Sequence, residues 1–231
     1  MKKAIITVLL ALVAMTISAQ EKLIRIDNED IAWQKDNPQY LFFNKEKARL
    51  LMPQGAAFGV ECIPSFSPEW SLTYDSVAHA LVYNEAQKSI WYSTYGAMYK
   101  KKTITKNGRK IAMRKLRKHP KDYVAPDVKT YSVTISIEQA QMLKAICSDA
   151  IGTSEPREDS MLDGTTWIYS IGEQQAKAHT GSNYNPYSIV KLTEKLVEAV
   201  KAGDESRCDS LIGAEFQHVV ADLEIVPNLK E

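Results

Sequence analysis

Residues 130–152 read TYSVTISIEQAQMLKAICSDAIG, and the period of the pattern changes once, at Ser136. Before it, Tyr131, Val133 and Ile135 alternate with Ser132 and Thr134, as in a strand with one face in a core. Ser136 and Gln139 have the spacing of a capping box, in which each side chain satisfies a free backbone N–H of the first turn, so a helix is predicted from Ile137. Its apolar stripe is Ala140, Leu143, Cys147, Ala150 and Ile151, widened by Met142 and Ile146, with Gly152 as the expected left-handed cap. A strand running straight into such a helix calls for a sheet that the helix covers.

A second strand is predicted at Thr165–Ile171, and a second helix, capped by Ser188, carries Ile189, Leu192, Leu196, Val197 and Val200 to a stop at Gly203. The segment between them, Glu173–Tyr187, is polar and reads as a loop. Asp204 is placed to cap a last helix through Leu211, Ile212, Phe216 and Val219, with a break at Gly213.

Toward the N-terminus, Phe58–Ile63, Ser71–Asp75 and His79–Asn84 read as consecutive antiparallel strands, and Lys45–Leu51 as a short helix. Asn37-Pro38 reads as a breaker ahead of that helix. Residues 89–100, SIWYSTYGAMYK, place Trp91, Tyr95 and Tyr99 four apart, a spacing that satisfies a helix and a strand alike; the aromatic content favours a strand.

Lys2 and Lys3, a fourteen-residue apolar run from Ala4 to Ile17, and Ser18-Ala19 have the three-part layout of a secretory leader. The run is shorter than the ~20 apolar residues that span a bilayer. The expected organisation is therefore a leader over 1–19 and one domain over 20–231, exported to the periplasm or beyond, with no transmembrane anchor. Removing Lys2 and Lys3 turns 29 basic against 28 acidic residues into 27 against 28, a net charge of −1. Cys62, Cys147 and Cys208 permit one disulfide, in any of three pairings, and one free thiol; the odd count argues against a disulfide scaffold, and the apolar settings of Cys62 and Cys147 favour buried thiols.

The charge is unevenly spread. Eleven basic residues and no Asp or Glu lie between Lys100 and Lys121, which leaves 16 basic against 28 acidic over the rest of the processed chain. Asn107-Gly108 is a strong two-residue hairpin signal that would set Ile104 opposite Ile111 and Thr103 opposite Ala112. The expected fold class is α+β: a mainly antiparallel sheet, two principal helices packed on one face and a protruding basic β-hairpin.

No P-loop, dinucleotide glycine fingerprint, zinc-helix motif, nucleophile elbow or Cys-x-x-Cys occurs in the chain. No catalytic residue, metal site or cofactor is assigned. The expected function is a non-catalytic binding module of the cell envelope. Its candidate binding residues are Lys101, Lys106, Arg109, Lys110 and Arg114, with Trp91 and Tyr95, and its partner an anionic envelope polymer or an acidic protein. Nucleic acid is a poor partner for an exported protein. The plainer reading of the same cations is a strand edge kept from pairing with other sheets. A third reading groups Trp70, Trp91, Tyr92 and Tyr95 as a sugar-stacking face, against the simpler one in which these rings fill the core. The alternative function is an envelope hydrolase acting on a glycan or peptide, its site near the 173–187 loop that holds His179.

Overall fold

A computed structural model of the chain describes residues 22–26, 36–53, 56–106, 109–156, 164–180 and 188–225. The leader segment, Asn107-Gly108 and residues 181–187 lie outside this set.

The elements run β1 (Ile24–Arg25), α1 (Pro38–Leu51), β2 (Ala56–Pro64), β3 (Trp70–Asp75), β4 (Ala80–Ala86), α2 (Ile90–Met98), β5 (Tyr99–Lys106), β6 (Arg109–Leu116) and β7 (Val128–Thr134). They continue with α3 (Ile137–Gly152), β8 (Thr165–Ile171), β9 (Gln174–Thr180), α4 (Ser188–Ala202) and α5 (Glu205–Ile225). Seven strands form one antiparallel sheet in the order β1-β9-β8-β2-β3-β4-β7, while β5 and β6 pair only with each other. The α+β class and the separate hairpin are as the sequence predicts. Among the described residues no helix is long and apolar enough to cross a membrane.

Alternation along the strands sends Phe58, Val60, Cys62, Leu72, Tyr74, Leu81, Tyr83, Val133, Trp167 and Tyr169 to one face, where all are buried in the larger core. α3 crosses this face toward β8 and β9, α4 crosses it toward β4 and β7, and α5 packs on both helices. The capping box is formed: Ser136 Oγ accepts the Gln139 N–H at 3.1 Å and Gln139 Oε1 accepts the Ser136 N–H at 2.9 Å.

The opposite face is also covered. Phe43, Leu51, Ala86 and Ile90 form a second, smaller core beneath α1 and α2. Ser71 and Asn84, which look solvent-facing in the sequence, are buried there and donate to the carbonyl of Leu51 at 2.6 and 2.8 Å. They thereby satisfy a carbonyl at the C-terminal end of α1 that has no partner within the helix. Lys47 and Glu61 join α1 to β2 as a largely buried ion pair, Nζ to Oε2 2.5 Å.

Several expectations fail for identifiable reasons. Asn37-Pro38 starts α1 instead of breaking it, since Asn37 Oδ1 accepts the Gln39 N–H at 3.0 Å and Pro38, which lacks a donor, fills the first helical position. The helix accordingly begins seven residues before Lys45. Residues 174–180 are a strand, not a loop: β9 pairs with β8 along its length, turning Ala176 and Ala178 fully inward. Gly152 is not left-handed; Thr153 ends α3 at φ −87°, donating its N–H and its Oγ1 to the carbonyl of Asp149. Gly203, at φ +68°, does end α4, and Asp204 Oδ1 caps α5 by accepting the Arg207 N–H at 2.9 Å. α5 passes Gly213 without a break. Of the expected strand at 89–100, Ile90–Met98 is α2 and only Tyr99 and Lys100 are extended, at the start of β5, for a reason that lies in the site itself.

Candidate functional site

α2 exists because of a buried carboxylate twenty residues upstream. Glu69 is fully buried, and its Oε2 accepts the Ile90 N–H at 2.6 Å while Oε1 accepts the Trp91 N–H at 2.9 Å and the Ser89 hydroxyl at 3.0 Å. Ser89 Oγ in turn accepts the Tyr92 N–H at 3.2 Å. A negative charge on the free N–H groups of the first turn meets both their hydrogen-bonding need and the positive end of the helix dipole. Strand geometry would leave that carboxylate buried without donors, at a cost of several kcal/mol.

With the helix fixed, the four-residue spacing becomes a ladder of rings. Tyr40 and Phe43 of α1 meet Trp91 at 5.0 and 5.2 Å, Trp91 meets Tyr95 at 6.3 Å, and Tyr95 stacks on Tyr99 at 4.3 Å. Tyr99 is the first residue of β5, so the ladder leads from the second core directly into the hairpin. The segment that follows its return strand is tied down by Arg117 N–H to Met98 O at 2.8 Å and Lys121 N–H to Ala97 O at 3.1 Å.

The hairpin has the register that its turn implies, Thr103 opposite Ala112 and Ile104 opposite Ile111. Of the candidate residues, Lys101 stands directly opposite Arg114, Lys106 opposite Arg109, and Lys110 opposite Thr105; Lys100 faces Lys115. Lys101, Lys110 and Arg114 are exposed, and the side chains of Lys106 and Arg109 lie outside the described residues. Arg114 is held over the Tyr95 ring, 5.2 Å from its centroid, and Nη1 donates to Tyr95 Oη at 2.7 Å. Trp91, Tyr95 and Arg114 are thus brought together at the root of the ribbon. No ion pair among the described residues links a ribbon cation to a carboxylate.

The other groupings come apart. Trp70 packs on Trp167 and Tyr83 in the larger core, at 5.1 and 5.4 Å, while Trp91 belongs to the smaller core across the sheet, so the rings do not share a sugar-stacking face. His179 is buried on β9 with Nδ1 3.1 Å from Thr166 Oγ1, not on a loop. His79 sits in the β3–β4 turn at φ +51°, its Nδ1 3.1 Å from Tyr74 Oη. Among the described residues no group of three His, Cys, Asp or Glu side chains is placed to hold a metal ion. A cavity of about 20 Å³ between the sheet and α3 and α4 is lined by core residues such as Val60, Leu143, Cys147 and Leu196. That is room for about one water.

All three cysteines are free and buried. Burial raises the Cys62 thiol, with Glu194 and Glu69 adding, pushes Cys147 up to about 12, and, with Asp209 and Asp204 adding, Cys208 up to about 11. None has the stabilised thiolate of a nucleophile. Since the unfolded chain loses these protons first, near the ordinary value of 9.0, the thiols' contribution to stability is whole below about pH 9 and falls as pH rises through 11. Alkylation at pH ~8 is expected to modify none of the three in the native protein and all three in denaturant; a native thiol reacting at the denatured rate would contradict the burial.

No family model matches the chain, and neither a curated protein nor a solved structure matches it.

Glu69 and Tyr99 complete the site and are absent from the candidate residues named by sequence. Tyr99 continues the Trp91–Tyr95 spacing and was legible. Glu69 has no local signature, because its donors lie twenty residues away.

Proposed function

We propose that this protein is an exported, non-catalytic interaction module of the cell envelope that engages an anionic polymer or acidic protein through its 100–121 ribbon. Export rests on the three-part layout of residues 1–19. The observation that carries the binding reading is the cross-strand pairing of cation with cation, Lys100 with Lys115, Lys101 with Arg114 and Lys106 with Arg109. Like charges directly opposite each other destabilise a two-stranded ladder by roughly 0.2–1 kcal/mol per pair. The ribbon lies outside the seven-stranded sheet, so the only edges its cations would guard are the ribbon's own. An anion lying across the strands offsets the repulsion and links the two strands electrostatically.

Titration with inorganic polyphosphate tests this. Binding is expected at low salt, weakening at least about tenfold between about 50 and 200 mM because exposed charges are screened over ~8–10 Å. Backbone amides of 99–106 and 109–116 should gain protection from hydrogen exchange as the anion binds. Absence of binding at low salt, or binding that leaves those amides unchanged, would remove the ribbon from the function.

A further inference from the structure

The two faces of the ribbon differ. The rows Tyr99–Leu116, Lys101–Arg114, Thr103–Ala112 and Thr105–Lys110 alternate with the rows Lys100–Lys115, Lys102–Met113, Ile104–Ile111 and Lys106–Arg109. At the root of the ribbon the first set is turned toward α2, since Tyr99 stacks on Tyr95 and Arg114 bonds to it. The rows Lys100–Lys115 and Lys102–Met113 lie on the opposite face there. There Lys100, Lys102, Met113 and Lys115 are all exposed, Met113 to 48%, and the next row of the ladder is the isoleucine pair.

A soluble polyanion takes up lysines but gains nothing from a thioether held out in water beside them. A bilayer interface uses both. Headgroup phosphates receive the ammonium groups, while the lysine stems and an apolar residue between them reach the edge of the acyl region. The remainder of the processed chain, 16 basic residues against 28 acidic, is repelled by the same surface, so the attraction orients the molecule ribbon-first. We infer that the face carrying Lys100, Lys102, Met113 and Lys115 docks on the anionic headgroup surface of a lipid bilayer. The inference rests on the anionic-partner reading above and gives that partner a source.

The test is co-sedimentation of the protein with phosphatidylglycerol-containing vesicles, against pure phosphatidylcholine vesicles and against soluble polyphosphate. Each lysine near an anionic surface contributes about fivefold in partitioning, so Lys100→Ser, Lys102→Ser and Lys115→Ser together should weaken vesicle binding about a hundredfold. Met113→Ser should weaken vesicle binding several-fold, most visibly in high salt where the charges are screened, and leave polyphosphate binding unchanged. Polyphosphate binding without a preference for the anionic vesicles, or vesicle binding indifferent to Met113, would overturn the membrane inference while the anionic-partner reading stands. Binding to neither would overturn both.

Discussion

Leu196→Ala and Leu143→Ala are each expected to lose ~2–5 kcal/mol of unfolding free energy. Leu196 is 1% exposed and Leu143 5%, on the helices that cover the main sheet face. Both border the cavity of about 20 Å³, so truncation extends an existing void that neighbouring side chains have not closed. Chemical denaturation reads the loss directly. A change under about 0.5 kcal/mol, the range of exposed positions, would mean that these helix faces do not carry the core.

Glu69→Ala is expected to cost about 3 kcal/mol, because it strands the buried N–H of Ile90 and takes the acceptor from the half-buried Trp91 N–H and Ser89 hydroxyl. Glu69→Gln keeps the volume and one acceptor oxygen but loses the charge at the helix N-terminus, and should cost roughly half as much. The near-ultraviolet circular dichroism of the Trp91–Tyr95–Tyr99 ladder should fall in Glu69→Ala, since the ladder depends on α2. An alanine variant with native stability and an unchanged aromatic signal would show that α2 is held by something other than this carboxylate.

What could be read from the residues and what could not divide along physical lines. Ser136 with Gln139 and Asn107 with Gly108 act within a few residues, so the start of α3 and the hairpin register were legible in the sequence. Asn37-Pro38 was equally local, but breaker and helix start are two roles of the same residues, distinguished only by whether the chain from Gln39 onward is helical. α2 was undecidable by period, since a spacing of four suits both structures, and the group that decides it is Glu69, distant in sequence. The layer formed by α1 and α2 was hidden because the face beneath it carries Ser71, Thr73 and Asn84. Buried polar side chains that bond a helix end look, in sequence, like a wet strand face. β9 was hidden because its inward residues are alanines, which let α3 approach closely but leave a weak apolar signal. At the site, the ribbon cations were plain in the composition, whereas their arrangement in like-charged pairs, and the seating of Arg114 on Tyr95, needed the ladder.

The role of Arg114 also shapes the most direct measurement. Because it holds the root of the ribbon to Tyr95, its replacement would confound binding with structure, and the informative variant is Lys101→Ser, Lys106→Ser, Arg109→Ser and Lys110→Ser with Arg114 kept. Retention on an immobilised anionic polymer at low and high salt is compared with stability to denaturant, for this variant and the parent protein. The expected result is native stability, to within about 0.5 kcal/mol, together with salt-sensitive retention clearly weaker than the parent's, the remaining ribbon cations keeping part of it. Retention equal to the parent's at low salt would contradict the assignment of the ribbon as the binding surface.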